Sequence, residues 1–398
     1  MGEKRSARLV IGILWLVCAC STGAGPAESA HFQIDTLPSG VVHVVNDGVG
    51  QWTEETRWTL VEDLRLGTLD REGPEQFSQV ANILTDTAGS VYVLDYQAQE
   101  IRVFSSEGVF SHTIGRKGEG PGEFTMAAGL DWAPDGRLWV WGSLRYSVFE
   151  PTGEFVTSYP RTVRGVIYPW IGGFVSGGRY IDWGLDREIT GQLRVGQSVQ
   201  PTSSGRTTFY PIEFRPPTQL DTLQPLEFFA DVTSEGVGVV GSRGLMVGQA
   251  ADGHLWVAMT DEYAVFKTTL EGDTLLAFSI PSRPAPIPES EIDSLIAYWA
   301  GRNYPMSRED FADCRRLVTG LLPDDEGHVY VFPEEEGVPE GRAVDVFTEQ
   351  GVYLGRMEFP QAVLTRNPPP HVTGSHIYAV VQDELDVPYV VRWRIVRP

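Results

Sequence analysis

The chain has 398 residues, 42% of them hydrophobic and 11% aromatic, and a formal net charge of −22. That apolar content is ample for a large buried core, whereas so acidic a surface repels phosphate backbones and anionic lipid heads, which disfavours nucleic-acid binding and charge-driven membrane attachment. The 43 glycines and 27 prolines suit a chain that turns often between short strands.

A targeting segment comes first. Lys4, Arg5 and Arg8 precede an apolar run over residues 9–19, too short for the roughly 20 residues of a membrane-spanning helix but suited to a secretory signal. The run closes on Val17, Cys18, Ala19 and Cys20, which resembles the bacterial lipobox, with Cys18 in place of the usual small residue. That resemblance implies a signal peptide over 1–19, lipidation of Cys20 and, with Ser21 next, export to the outer membrane. The alternative is an ordinary signal cut after Ala19 or near Ala27 or Ala30. Residues 20–35 then read as a flexible tether. With Cys18 removed and Cys20 lipidated, Cys314 stands alone, so no internal disulfide is expected, and Cys314 reads as a small core residue.

The stretch 88–94, Ala-Gly-Ser-Val-Tyr-Val-Leu, recurs as Asp-Gly-Arg-Leu-Trp-Val at 135–140, Asp-Gly-His-Leu-Trp-Val at 252–257 and Glu-Gly-His-Val-Tyr-Val at 326–331. Weaker copies stand at 177–181 and 374–380. Six copies of one turn-and-strand cassette mark a repeat architecture. Around the first two cassettes the repeat is longer: residues 66–77 match 114–124, and Phe77 and Phe124 each precede a cassette glycine, Gly89 and Gly136, by the same interval. Each cassette strand is apolar on consecutive residues, so both of its faces are covered. A two-layer sandwich would leave one face wet, whereas sheets arranged radially bury both, as in a propeller. Tyr92, Trp139, Trp256, Tyr330 and Tyr378 are the expected fillers between blades, each removing about 150–250 Å² from water.

At these residues the chain resembles NHL-like six-bladed β-propeller proteins, common among exported bacterial lipoproteins. The carriers are the glycine-rich stretch 115–124, the cassette, and Ile-Arg-Val-Phe at 101–104. Blades one and two match well; blades three to six match at the cassette and at a Val-Phe strand, as at 264–266 and 345–347. The resemblance implies an all-β, six-bladed propeller of four-stranded antiparallel blades over 36–398, and it says little about activity. Blade three, about 165–225, is irregular. Between blades four and five an insert at about 286–316 places Ile292, Leu295, Ile296 and Trp299 at helical spacing, a stripe expected to pack on the propeller rim. A second helix is expected from Ser307, with Asp310 completing a capping box. The last blade lacks an outer strand, and the strand at 58–66 lacks a blade, so the two should pair and close the ring.

Loops that precede inner strands or follow cassette strands share one face, where a rigid scaffold can present variable groups. Arg116, Lys117 and Arg145 form a local positive group there and are candidates for an anionic ligand; solvated turn charges are the alternative. Asp95 is a further candidate, weighed against a role capping its own loop. His254, His328 and His376 share one cassette position in three blades. Zinc needs its ligands within about 2.0–2.1 Å, which positions spread around a ring cannot supply, so no metal site is expected. The acidic runs 324–326 and 334–336 lack calcium-loop spacing. The expected function is therefore a non-catalytic, lipid-anchored binding or scaffold propeller, a monomer without cofactor, whose protein or small-molecule ligand docks on the loop face. The alternative is a hydrolase or lyase of the kind some six-bladed propellers carry around a divalent ion such as calcium in the channel, with Asn82 and Asp131 as inner-strand candidates.

Overall fold

The computed structural model describes residues 31–69, 73–161, 172–175, 179–187, 191–195, 198–202, 204–215, 219–222, 233–235, 245–250, 252–270, 272–301 and 306–398. The signal peptide, Cys20 and most of the tether lie outside these residues. Strands β1 (Phe32–Thr36), β2 (Val42–Asn46) and β3 (Thr59–Leu66) precede blade one, built from β4 (Val80–Thr85), β5 (Val91–Asp95), β6 (Glu100–Phe104) and β7 (Phe110–Ile114). Blade two holds β8 (Ala127–Trp132), β9 (Leu138–Gly142), β10 (Arg145–Phe149) and β11 (Phe155–Pro160). Blade three is built on β12 (Gly173–Val175), β13 (Arg179–Arg187), β16 (Ser204–Arg215) and β17 (Gln219–Thr222), with β14 (Gly191–Val195) and β15 (Ser198–Thr202) as a separate hairpin and β18 (Thr233–Glu235) paired to β16. Blade four holds β19 (Leu245–Gln249), β20 (Leu255–Met259), β21 (Ala264–Thr268) and β22 (Thr274–Ser279). Blade five holds β23 (Val318–Pro323), β24 (Val329–Pro333), β25 (Ala343–Phe347) and β26 (Tyr353–Glu358). Blade six holds β27 (His371–Val372), β28 (His376–Gln382) and β29 (Pro388–Val396), and β3 completes it by pairing antiparallel with β29 from Thr59↔Val396 to Leu66↔Val390. The chain is a six-bladed propeller closed by its N-terminal strand.

One turn is repeated around the ring. In blade one Asp86 N–H bonds to Ser90 O at 3.2 Å and Gly89 N–H to Asp86 O at 3.0 Å, and the same two bonds recur at Ala133 and Ala250. The glycine has positive φ each time, +81° at Gly89 and +83° at Gly136, a conformation that disfavours a side chain. Where the turn opens on Asp, the cassette aromatic is tyrosine and its hydroxyl donates to that carboxylate, Tyr92 to Asp86 (3.4 Å) and Tyr330 to Asp324 (3.2 Å); the turn before β29 repeats the pairing outside the cassette, Tyr389 to Asp383 (3.1 Å). Where it opens on Ala, as at Ala133 and Ala250, the aromatic is Trp139 or Trp256. The acid and the hydroxyl come as a pair, because either one alone would leave a polar group unpartnered.

The seams between blades are apolar and aromatic. Tyr92 packs with Phe124 and Leu130 between blades one and two, and Trp139 with Tyr180 between two and three. Trp256 packs with Leu321 and Val329 between four and five, Tyr330 with Ile377 between five and six, and Tyr378 with Val91 and Val93 between six and one. All five cassette aromatics are buried. Gly115 serves the first seam: its φ is +72°, and a Cβ there would overlap the Phe124 ring. Gly115→Ala is expected to cost about 2–4 kcal/mol, strain plus overpacking. At Gly136, φ +83° with open space around it, the same change should cost only about 1–2 kcal/mol. Urea midpoints of the two variants check the ordering.

The N-terminal segment does more than close the ring. β1 begins at Phe32, inside the stretch read as tether, and β2 adds to the outer edge of blade four in parallel with β22. Its last residue, Asn46, is buried: its Nδ2 donates to Gly351 O (3.0 Å) and its Oδ1 accepts Tyr353 N–H (2.9 Å). The chain then crosses blade five, where Trp52 N–H bonds to Leu354 O at 2.8 Å, before β3 joins blade six. Residues 32–66 thus strap three consecutive blades from outside.

The insert departs from expectation in two respects. Helix α1 (Glu289–Ala300) buries only Ile292 completely, with Leu295, Ile296 and Trp299 half-buried. Its polar ties run within the insert, Glu289 to Arg308 (3.1 Å) and Glu291 to Arg315 (2.5 Å). The expected second helix is one 3₁₀ turn, Arg308–Asp310, capped by Asp310 on the Ser307 N–H at 2.7 Å. Cys314 is exposed, not in the core, because it lies on the outer return segment, held by a backbone bridge to Pro286.

Candidate functional site

The strap creates a cleft. Residues 48–57 of the strap, the start of the insert at 282–285, the 333–336 loop and the outer strands of blade five enclose about 680 Å³ at the junction of blades four and five. It opens on the loop face, between the loop after the cassette strand of blade four and that of blade five.

Its floor is Asp345, 1% exposed in the middle of β25. Four donors converge on this carboxylate: Tyr263 Oη (2.6 Å) from blade four, Tyr353 Oη (2.9 Å), and Arg356 through Nε (2.7 Å) and Nη2 (3.0 Å). Burial, then the Asp345 charge, pushes the Tyr263 phenol well above its usual pKa. Burial opposes the charge on Arg356, but its bonds to Asp345 and to Glu335 (2.8 Å) hold its pKa above the usual value. With both oxygens engaged, Asp345 is a clamp between blades and has no free lone pair well placed to act as a base. Around it stand the aromatic walls of Trp52, Tyr263 and Tyr353, and a rim carrying Arg57, Arg283 and Glu336. Arg57 and Arg283 are exposed and, among the described residues, have no side-chain partner. The cleft offers aromatic faces, both signs of charge and donors at its edge, which suits recognition of a polar ligand.

A second clamp of the same design joins blades two and three: Asp182 accepts from Tyr146 Oη, Trp141 Nε1 (3.4 Å) and Arg161 Nε (2.6 Å). The signal for both was a tyrosine just ahead of or inside the third strand, Tyr146 and Tyr263, and at Asp345 a lone acid in an otherwise apolar strand. A buried charge among valines requires partners.

The residues expected to bind an anion lie elsewhere on the loop face and are largely committed. Arg116 pairs with Glu123 at 2.7 Å with a side chain 78% exposed, and Arg145 Nη2 donates to Glu119 O at 2.8 Å. Glu123 also accepts Gly120 N–H at 2.8 Å. Arg116 and Arg145 are therefore brought together on the 116–123 loop, where they hold that loop closed; Lys117 is exposed beside them. Asp95 is fully enclosed, accepting the N–H groups of Ser78 (2.7 Å), Gln97 (3.1 Å) and Ala98 (3.1 Å). It caps its own loop, where four backbone donors on two neighbouring loops converge.

The three cassette histidines stay on separate turns: His254 beside Asp252 (2.9 Å), His328 beside Asp324 (3.0 Å) and His376 beside Asp63 (3.6 Å). Asp324, Glu326 and His328 do bring one ligand atom each within 4.8 Å of one another. Within the turn, Asp324 Oδ1 accepts the backbone N–H groups of Glu326 (2.9 Å) and His328 (2.7 Å), and Glu326 Oε2 accepts Arg397 at 2.6 Å. The group locks the turn to the C-terminal tail, with Arg397 stacked over Trp58 at 4.2 Å.

On the channel wall, Asp131 Oδ1 accepts Trp132 N–H (2.8 Å) and Oδ2 accepts Phe174 N–H (2.5 Å), joining blades two and three. Asn82 is half-buried on β4. Burial pushes the Asp131 carboxyl up to about 7 from 3.8, against the pull of those two N–H groups. A raised acid binds its proton more tightly folded than unfolded, so its contribution is present below the unfolded value and lost as pH rises through the folded one. Asp131→Asn should therefore gain on wild type, in melting temperature, as pH rises from about 4 to 8. A difference that stays flat across that range would contradict this assignment.

Over residues 64–131 the chain matches the DUF5128 family model, a 6-bladed beta-propeller. No curated protein matches it. Among solved structures, an exported-protein candidate from Bacteroides fragilis NCTC 9343 superposes with a TM-score of 0.51 at 12% identity, covering 89% of this chain and 100% of that one. A DUF4221-family member from Bacteroides vulgatus superposes with a TM-score of 0.52 at 13% identity, covering 87% and 100%. Virginiamycin B lyase from Staphylococcus aureus aligns with a TM-score of 0.43 at 11% identity, covering 85% and 100%. At such identities the first two likenesses speak to fold and not to activity. Among the described residues, no helix is long and apolar enough to cross a membrane.

Proposed function

We propose that the protein is an exported, lipid-anchored propeller of the NHL-like kind that binds a polar ligand or partner in the cleft between blades four and five and performs no chemistry of its own. The observation that supports this is the state of the cleft floor: its one deeply buried acid, Asp345, has both oxygens occupied by Tyr263, Tyr353 and Arg356. Aromatic walls and exposed arginines remain free to contact a ligand, whereas an acid or base catalyst needs an available proton site. The lipobox resemblance at Cys20 and the exported-protein description of the B. fragilis neighbour favour the cell envelope.

A thermal-shift screen of small polar ligands, repeated on Trp52→Ala and Arg283→Gln, tests the binding reading: hits should stabilise wild type and lose their effect in either variant. The rival reading, a metal-dependent hydrolase or lyase, draws on the near-neutral Asp131 at the channel wall. Metal analysis of dialysed protein with a lactone and aryl-ester screen separates the two, and turnover abolished by Asp131→Asn would replace binding with catalysis. Cys20→Ser should move the protein from the membrane fraction to the soluble one.

A further inference from the structure

We propose that the cleft between blades four and five takes a small zwitterion of the amino-acid or peptide class, its carboxylate on Arg57 and Arg283 and its ammonium on Glu334 and Glu336. This ligand class rests on the cleft being a binding site, as proposed above.

All four side chains line the same cavity of about 680 Å³. They reach it from separate elements: Arg57 from the strap, Arg283 from the chain leaving β22, and both glutamates from the loop that follows β24. The two signs are therefore presented by different segments and are not interleaved along one. The other charges of the cleft are spent on each other, since Arg356 holds Asp345 at 2.7 Å and Glu335 at 2.8 Å.

The four that remain lack counter-ions. Arg57, Arg283 and Glu336 are exposed and, among the described residues, have no side-chain partner. Glu334 is half-buried, and its one ion pair is a long contact to Arg315 Nη1 at 3.6 Å; Arg315 is held closer by Glu291, at 2.5 Å. Burial first, then the charge of Glu340, outweighs Arg316 and Arg315 and pushes the Glu334 carboxyl above its ordinary value. Such a carboxylate is under-compensated, and a ligand's ammonium would supply the missing charge. A carboxylate, in turn, is the group that guanidiniums grip with parallel N–H bonds. A ligand of one sign would leave half of these groups unmatched; one carrying both signs on an apolar body matches all of them.

Trp52 supplies the apolar wall. Its indole sits on the Gly355 backbone, where a Cβ would come within 2.5 Å of Cε3, and packs on Trp58 with ring centroids 5.0 Å apart. The volume lies within the roughly 300–1,000 Å³ of pockets that enclose small ligands, room for a peptide of a few residues as well as for a free amino acid.

The test is the melting temperature of the full chain titrated with leucine and with trileucine. Each is compared with its N-acetylated form, which lacks the cation, and its C-terminal amide, which lacks the anion. Wild type should show a saturable rise with at least one free form, and blocking either end should weaken the apparent affinity by about tenfold or more. Glu334→Gln should weaken binding of the free form by a similar factor and cause no further loss with the N-acetylated one. Arg283→Gln should do the same with the amide. Glu336→Gln and Arg57→Gln, at exposed positions, repeat the comparison in case either of the first two folds poorly. Lys117→Gln, outside the cleft, should change nothing. Leucine binding as well as trileucine makes the ligand a free amino acid, and a response to trileucine alone makes it a peptide; both support the zwitterion. Blocked forms that bind as well as the free ones overturn it, as does the lack of any response to leucine and trileucine. In those cases the cleft still stands as a binding site when another polar ligand stabilises wild type and loses its effect in Trp52→Ala; when none does, both readings fall.

Discussion

Removal of residues 52–66 is expected to open the ring and leave an aggregating chain. β3 pairs with β29 along its whole length. Leu66 is 2% exposed, and Leu60, Leu64, Trp52 and Trp58 pack against the seams on either side of blade six. Burying each such side chain contributes about 1.5–3 kcal/mol when complete, so losing five of them, several only partly covered, should cost about 5 kcal/mol or more. Domains are typically stable by about 5–15 kcal/mol, so most of the margin would go. The deletion also bares β29, nine residues that include the buried Val390, Val391, Trp393 and Ile395, as an open edge that templates association. Size-exclusion chromatography and calorimetry decide it: a monomeric deletion variant with one cooperative transition near that of wild type would mean the ring closes by other contacts.

Asp345→Ala is expected to be the most damaging single substitution near the cleft. It strands two phenols and the Arg356 guanidinium in a site where Asp345 itself is 1% exposed. Breaking a buried charged pair by removing one partner typically costs about 3–5 kcal/mol; here Arg356 keeps Glu335 at 2.8 Å but loses its buried counter-ion without regaining water on that side. Tyr263→Phe removes one hydroxyl and should cost about 1–2 kcal/mol. Urea denaturation of both, with Arg356→Met to remove the other half of the pair, checks the account. Should Asp345→Ala unfold within about 1 kcal/mol of wild type, the clamp would not be what joins blades four and five at this point.

The two variants also separate kinds of legibility. β3 could be found in the sequence because a blade one strand short and a strand without a blade imply one another. Asp345 was visible only as an oddity, an acid where the corresponding residues are Arg102 in blade one and Ser147 in blade two; its partners Tyr263 and Arg356 come from different strands and different blades. The same contrast divides the cations. Arg116, Lys117 and Arg145 stood out as a cluster along the chain, yet Glu123 and the Glu119 carbonyl engage the two arginines within the same loop. Cys314 looked like a small apolar residue and proved exposed, since nothing in its neighbours reveals that the insert's return segment runs along the outside.

Read by itself, the sequence determined the number and kind of blades, the aromatic seams, the turn chemistry and the closing strand. Each of these rests on local periodicity, glycine placement or a residue pattern that repeats within the chain, and such preferences act over a few residues wherever the chain goes. Only the tertiary structure decided that residues 32–66 strap blades four, five and six, that this strap makes a cleft, and which charges are spent and which are left unpaired. Those outcomes depend on side chains from distant positions meeting in three dimensions, where burial and the partner across the gap, not the neighbours in sequence, set the energy of a charge.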